Sequence, residues 1–152
     1  MKKVMIFGTF DILHPGHLSF FKQAKKYGDY LIVSVARDIN VKKIKGKLPR
    51  NNEGKRLNQV KAAGIANKVI LGHLKDPYDM IIRINPDVIC LGYDQQRFTE
   101  KLAEFFPKIK IVRLKPYKPE IYKSSIIMKA KKHKNKKTKV LSLLYCFFVL
   151  MF

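Results

Sequence analysis

The chain has 152 residues, a length typical of one domain, and 47% of them are hydrophobic. A packed core is therefore expected, and a globally disordered chain is excluded. The cysteines, Cys90 and Cys146, belong to no CxxC motif and no Cys/His cluster, which argues against a disulfide framework or a zinc site. The first apolar run is too short for a secretory signal peptide, so a cytoplasmic location is the default expectation.

The formal net charge of +21 is unevenly distributed, because seven of the 32 basic residues lie at positions 129–139. The residues before 129 still hold 25 basic against 11 acidic side chains, a net charge of +14. Such an excess favours anionic ligands such as nucleotides, although a lysine-rich solvated surface explains it equally well. The chain contains no basic motif interleaved with aromatic residues, so a nucleic-acid partner is not expected.

The first third of the chain predicts a strand, a helix and a second strand. Residues 4–7 form a short apolar run, and a helical rhythm follows Pro15 and closes at Gly28. Residues 30–36 are apolar and rich in β-branched side chains, which is typical of a buried strand. Strand, helix and strand in this order make a βαβ unit, whose two strands are parallel.

The next segment, residues 41–52, is rich in Lys, Gly and Pro and has no period. It is predicted to be a loop, either at an active site or on the ordinary surface. The predicted elements that follow are helix 53–66 with Leu57 and Val60 on its inner side, strand 68–71, helix 78–84, strand 88–91, helix 97–106, strand 109–114 and helix 124–132.

This alternation predicts an α/β fold with a single doubly wound, Rossmann-like, five-stranded parallel sheet and helices on both faces. In such sheets ligands bind outside the carboxyl ends of the strands. That rule points to the segments at 8–17, 36–47, 92–96 and 115–125.

One domain is predicted over residues 1–132, with residues 133–152 outside the fold. The run at 140–152 is apolar apart from Ser142, but thirteen helical residues reach only about 20 Å, short of the ~30 Å hydrocarbon core. A membrane span is therefore not expected. A basic run followed by an apolar tail could anchor the chain at a membrane surface, but an idle extension is the favoured interpretation.

The sequence His14-Pro15-Gly16-His17 lies between the first predicted strand and the first predicted helix. Pro15 favours helix entry, Gly16 permits close approach of a ligand, and the free amides of the helix start attract anions. His14 and His17 are three residues apart, so both can reach one phosphate. Metal binding is disfavoured because no third ligand is evident nearby; ordinary capping and turn roles are the other alternative.

The longer string GTFDILHPGH, residues 8–17, resembles the HxGH signature of the cytidylyltransferase-like nucleotidyltransferases. The blocks at 35–38 (VARD), 41–42 (VK) and 45–46 (KG), the ExxR pair Glu53 and Arg56, and LGYDQ at 91–95 resemble archaeal-type FAD synthases. The resemblance covers residues 1 to about 132. The nearest alternative, the glycerol-3-phosphate cytidylyltransferases, carries an Arg and an STTK string near the last helix, where this chain has Lys118 and the string KSSI at 123–126.

The resemblance implies direct transfer of a nucleotidyl group, with His14 and His17 bonded to the α-phosphate region and Lys42 neutralising the triphosphate or the acceptor. The implied nucleotide-binding residues are Thr9, Phe10, His14, Pro15, Gly16, His17, Asp94, Tyr122, Ser124 and Ser125.

Four further residues, Asp11, Arg56, Lys118 and Lys123, are candidates for contacts to phosphate or to the acceptor. Asp11 has the alternative of orienting the HPGH turn, and Arg56 that of pairing with a structural carboxylate. Asp94 has the alternative of only closing a turn.

The resemblance further implies ATP and FMN as substrates, Mg²⁺ carried with the triphosphate and a homodimer. The alternative is CTP with glycerol 3-phosphate or a sugar phosphate. The intact HPGH argues against a degenerate member that binds nucleotide without turnover.

Overall fold

The computed structural model describes residues 1–96, 101–122, 126–127 and 129–130. The chain divides into two units, Met1–Tyr117 and Lys118–Phe152. The helices and strands of the first unit are β1 (Lys3–Gly8), α1 (Pro15–Lys25), β2 (Tyr30–Val35), α2 (Asp38–Lys45), α3 (Glu53–Ala62), β3 (Lys68–Leu71), α4 (Pro77–Ile84), β4 (Val88–Leu91), α5 (Leu102–Phe105) and β5 (Lys110–Arg113).

Within the described residues, five strands form one parallel sheet in the order β3-β2-β1-β4-β5. Val4 of β1 lies between Leu31 of β2 and Val88 of β4. The chain builds outward from β1 to β3 and then crosses to β4 and β5 on the other side. The order therefore reverses between β1 and β4, and a crevice for ligands is expected outside their carboxyl ends.

Alternate residues of β1 belong to two separate core layers. Val4 and Ile6 pack in one layer with buried side chains of α1 and α3, and Met5 and Phe7 pack in the other with those of α4 and α5. A strand buried on both faces has a continuous run of apolar residues, and this run made β1 predictable from the sequence. The predicted doubly wound fold is confirmed.

The prediction of a loop over residues 41–52 was wrong in its first part, because α2 extends to Lys45. This helix buries only Val41, and Gly46 ends it with a φ of 73°. An eight-residue helix with one buried residue produces no apolar stripe, so its sequence carried no visible period. The glycine at its end, which suits the left-handed conformation, was the available signal.

The other predicted boundaries lie close to the observed ones. The predicted strands differ from the observed strands by at most one residue at either end. The helix predicted at 53–66 ends at Ala62. For the helix predicted at 97–106, residues 102–105 are helical and residues 97–100 lie outside the described residues. For that at 124–132, the described residues 126, 127, 129 and 130 are helical.

No helix among the described residues is long and apolar enough to cross a membrane. The apolar run at 140–152 lies outside those residues.

Candidate active site

The turn that leaves β1 is built around the ring of Phe10. This residue has a φ of 50°, which side chains rarely adopt, and is 3% exposed. Its ring lies over Gly8, where a Cβ atom would overlap the ring, so position 8 requires glycine. The same ring meets the imidazole of His17 edge to face, with centroids 5.2 Å apart. The turn thereby fixes the position of one histidine of the HPGH sequence.

His14 and His17 lie side by side at the start of α1. Pro15 is the first residue of the helix, and His14 precedes it in an extended conformation. The two imidazole rings stack with centroids 3.7 Å apart and planes 23° from parallel. Because the amides of a helix start attract anions, the pair lies where a phosphate is favoured.

Both histidines are electrically neutral near pH 7. Burial lowers the pKa of His14. The pKa of His17 is lowered to about 3, chiefly by burial and then by the charge of His14, against the opposing effect of a hydrogen bond to the backbone of Ile12. A neutral imidazole keeps one N–H donor, which can bond a phosphate oxygen without carrying a charge. In His17 this donor faces the backbone of Ile12, so a phosphate bound to it would take the place of that carbonyl.

The lowered pKa of His17 makes the stability of the fold depend on pH. The pKa of a histidine is about 6.5 in an unfolded chain, so between that pH and the folded value of about 3 the unfolded chain holds the extra proton. We therefore expect the free energy of unfolding to fall on acidification below pH 6.5, with His17 contributing up to about 1.4 kcal/mol per pH unit. Denaturant titrations from pH 7.5 to 4.5 measure this slope, and His17→Asn should flatten it. An unchanged slope in the variant would contradict the assignment.

A lysine from α2 completes the cluster. Lys45 Nζ donates to Thr9 Oγ1 at 3.2 Å. Burial of the ammonium lowers the pKa of Lys45, the nearby carboxylates of Asp11 and Asp94 raise it, and the charge of Arg56 lowers it. The charge of Lys45 in turn contributes to the lowered pKa of His17. A cation and two neutral donors thus converge at the carboxyl end of β1.

From the sequence, this role was expected of Lys42. The structure places Lys42 on the same helix, three residues before Lys45; both side chains are exposed, and it is the ammonium of Lys45 that is hydrogen-bonded to Thr9. Lys45 had been noticed only as part of the KG block at 45–46. Lys42 and Lys45 are three residues apart on α2 and therefore lie on the same side of the helix, so predicting the helix would not have told the two lysines apart.

Asp11 is engaged by the backbone of the segment between α2 and α3. Its carboxylate accepts hydrogen bonds from the amides of Arg50 and Asn51, both at 2.8 Å, and its carbonyl accepts one from Asn51 Nδ2. A carboxylate held by two backbone amides favours the orienting role for Asp11 over direct contact with a phosphate.

Arg56 has no exposed surface. Its guanidinium donates to three backbone carbonyls and to the carboxylate of Asp38, which lies 2.7 Å from Nη2. Four of five N–H donors are thereby engaged, which favours the structural partner for Arg56 over a phosphate.

The loop after β4 is tied to β1 across the switch point. Gln95 Nε2 donates to the carbonyl of Phe7, and its Oε1 accepts from the amide of Gly92, both at 2.8 Å. Arg113 Nη1 donates to the carbonyls of Gly92 and Gln95. Asp94 projects from this braced loop with an exposed side chain. In the sequence Gln95 stands out only as part of LGYDQ, and Arg113 belongs to no motif that points to the site.

Seven further candidates were expected from the sequence. Pro15 and Gly16 occupy the first turn of α1. Lys118 and Tyr122 belong to the second unit, where the carbonyl of Lys118 accepts from the amides of Ile121 and Tyr122. Lys123, Ser124 and Ser125 lie outside the described residues.

Comparison with known proteins places this geometry in a family. Residues 5–138 match the cytidylyltransferase-like family. The FAD synthase of Aciduliprofundum boonei is 45% identical over 122 residues, which cover 77% of this chain and 80% of that protein. The FAD synthase of Methanosarcina barkeri is 47% identical over 108 residues, covering 71% and 76%.

Two solved structures resemble the fold. A crystal structure described as the lipopolysaccharide core biosynthesis protein from Thermoplasma volcanium GSS1 has a TM-score of 0.71 at 40% identity, covering 77% of this chain and 98% of that chain. A protein of unknown function from Archaeoglobus fulgidus has a TM-score of 0.62 at 21% identity, which is evidence for the fold alone. The chain belongs to the cytidylyltransferase-like family and is a nucleotidyltransferase.

Proposed function

We propose that the enzyme is an FAD synthase, which transfers the adenylyl group of ATP to FMN and releases pyrophosphate. The observation that carries the proposal is the convergence of His14, His17 and Lys45 on the carboxyl end of β1. The choice of ATP and FMN is supported by relatives named FAD synthase at 45% and 47% identity.

The reaction needs no covalent intermediate with the protein. A phosphate oxygen of FMN attacks the α-phosphorus of ATP, a new P–O–P bond forms, and the bond to the β-phosphate breaks as pyrophosphate leaves with the electron pair. Negative charge grows on the α-phosphate oxygens and on the leaving pyrophosphate. The protein accelerates such a step by positioning two anions and stabilising this charge.

Each residue of the cluster has a distinct part in this chemistry. His14 and His17 donate N–H groups to the α-phosphate oxygens, and both stay neutral at pH 7 because burial lowers their pKa values. Lys45 supplies the positive charge, and its hydrogen bond to Thr9 directs the ammonium toward the end of β1. The free backbone N–H groups at the N-terminus of α1 further attract the triphosphate.

A divalent cation, expected to be Mg²⁺, fits this donor set. The described residues hold no group of three His, Cys, Asp or Glu side chains that could bind a metal ion. Mg²⁺ typically binds through substrate phosphates with one or two carboxylates, and Asp94, exposed and near Lys45, is the candidate carboxylate. The cation would neutralise phosphate charge.

The proposal includes a cytoplasmic location. Cys90, a free thiol buried in β4, is consistent with this location but does not select it. Burial raises the pKa of this thiol to about 12, so it is unreactive at neutral pH.

Competition between nucleotides tests the proposal. We expect FMN incubated with equal concentrations of ATP, CTP and Mg²⁺ to give FAD as the main product, resolved by chromatography, together with pyrophosphate. Discrimination in kcat/KM should be large, because a site that pairs the polar edge of one base leaves buried groups unpaired with another.

A parallel reaction with glycerol 3-phosphate as the acceptor serves as the control. No product from FMN, together with consumption of CTP on glycerol 3-phosphate, would overturn the proposal in favour of a cytidylyltransferase.

A further inference from the structure

We infer that Arg56 is a positioning residue for nucleotidyl transfer, whose guanidinium sets the distance between Thr9 at the end of β1 and Lys45 on α2. The inference rests on the proposed function, since it assigns Lys45 to the reacting phosphates. It gives a catalytic consequence to an arginine that contacts no ligand.

The contacts of Arg56 join three segments that are far apart in sequence. Nη1 donates to the carbonyl of Thr9 at 2.5 Å, Nη2 to that of Ala36 at 2.7 Å, and Nε to that of Asn51 at 3.0 Å. Thr9 directly follows β1, Ala36 directly follows β2, and Asn51 lies two residues before α3. One planar, rigid group therefore fixes the relative positions of all three backbone segments.

The same arginine also holds the start of α2. Nη2 contacts Asp38 Oδ1 at 2.7 Å, and Asp38 is the first residue of that helix. Asp38 Oδ2 accepts from the amide of Glu53, and Glu53 Oε2 accepts from the amide of Asp38. Each carboxylate thus caps the first amide of the other helix, and α2 and α3 are locked together at their starts.

The path from this lock to the reacting groups is short. Lys45 lies in the last turn of α2. The contacts of Asp38 fix the direction of this helix, and that direction determines the position of the Lys45 ammonium. The hydroxyl of Thr9 accepts the hydrogen bond from this ammonium, and the carbonyl of Thr9 accepts one from Arg56. Arg56 therefore controls both ends of the Lys45–Thr9 hydrogen bond.

The sharpest test is Arg56→Lys, with Arg37→Lys as the matched control. Lysine keeps the charge but cannot serve three carbonyls and a carboxylate at once. Arg37 belongs to the same cluster through its ion pair with Glu53, at 3.1 Å, and remains partly exposed. We expect kcat of Arg56→Lys to fall ~10- to 100-fold while both KM values stay within about threefold. Arg37→Lys should stay within about twofold of wild type in both.

Rates are to be measured well below the thermal midpoint of each variant, so that a loss of stability alone cannot lower kcat. Wild-type kcat in folded Arg56→Lys would overturn the inference. If Arg56→Lys does not fold, the variant Asp38→Asn is used to test the inference. Asp38 is about one-quarter exposed, and replacing its carboxylate weakens only one of the four contacts of the arginine. We then expect kcat to fall about 3- to 10-fold, on the same positional grounds; an unchanged kcat would reduce Arg56 to a structural role.

Failure of the proposed function gives a different result. If the wild type forms no FAD, the choice of substrates is wrong, and the variants are compared in the reaction of CTP with glycerol 3-phosphate, where the same fall in kcat is expected and an unchanged kcat would overturn the inference. If the wild type forms FAD but the variants keep the wild-type kcat, only the role assigned to Arg56 is wrong.

Discussion

Replacing His14 or His17 with alanine is expected to lower kcat by about 10²–10³-fold while the fold is retained. The rings stack 3.7 Å apart beside the start of α1, and each is proposed to supply one neutral donor to the α-phosphate. Loss of a single donor to developing charge typically has an effect of this size. The measurement is the rate of pyrophosphate release at saturating ATP and FMN, with circular dichroism to verify folding.

His73→Ala is the matched control, because His73 follows β3 at the same edge of the sheet. Its Nδ1 accepts from the amides of Lys75 and Asp76 and lies 3.2 Å from Asp79, so it organises its own loop. We expect this variant to keep kcat within about twofold, as is usual for substitutions outside a site. Near-normal kcat in both His14→Ala and His17→Ala would remove the histidine pair from the mechanism, and unfolding of both would make it structural.

Lys45→Ala is expected to lower kcat about 100-fold or more, whereas Lys42→Ala should change it by less than about threefold. Lys45 is the lysine whose ammonium reaches Thr9 and whose charge lowers the pKa of His17. Removal of a cation aimed at a transferring phosphoryl group costs far more than removal of a solvated one. Both variants carry the same substitution on the same helix, so effects on helix propensity cancel.

The pair of lysine variants separates two assignments. Steady-state kinetics with ATP as the varied substrate give kcat and KM for each variant. A large loss in Lys42→Ala combined with normal kcat in Lys45→Ala would reinstate the role that the sequence alone suggested and would exclude the one drawn from the geometry.

The sheet could be predicted from the sequence because each strand is a short apolar run bounded by polar or glycine residues. Residues 4–7 are buried on both faces of the sheet, so all four are apolar and the strand can be identified from its composition. The histidine pair could be predicted for a similar reason, since its spacing and its place between strand and helix are local properties of the chain.

Lys45, Arg56 and Gln95 could not be assigned from the sequence in the same way. Their long-range contacts join residues 18 to 88 positions apart, and no periodicity records which long polar side chain reaches across a sheet edge. Arg56 illustrates the difficulty, because a completely buried arginine and an exposed one look alike in a helical pattern, and only the carbonyls collected around it distinguish them.

The amide of Gln95 has a consequence for the chemical ageing of the protein. Pairing of β1 with β4 ends at Ile6 and Cys90, and beyond that point the side chain of Gln95 bridges the strands by donating to Phe7 and accepting from Gly92. The amide does both at once, through its nitrogen and its oxygen. Hydrolysis of the amide to glutamate, with release of ammonia, would remove the donor and place a carboxylate against the Phe7 carbonyl, at the strand end where the triphosphate is proposed to bind. Replacement of one nitrogen atom by oxygen, without any break in the chain, is then expected to loosen the crevice and repel its ligand.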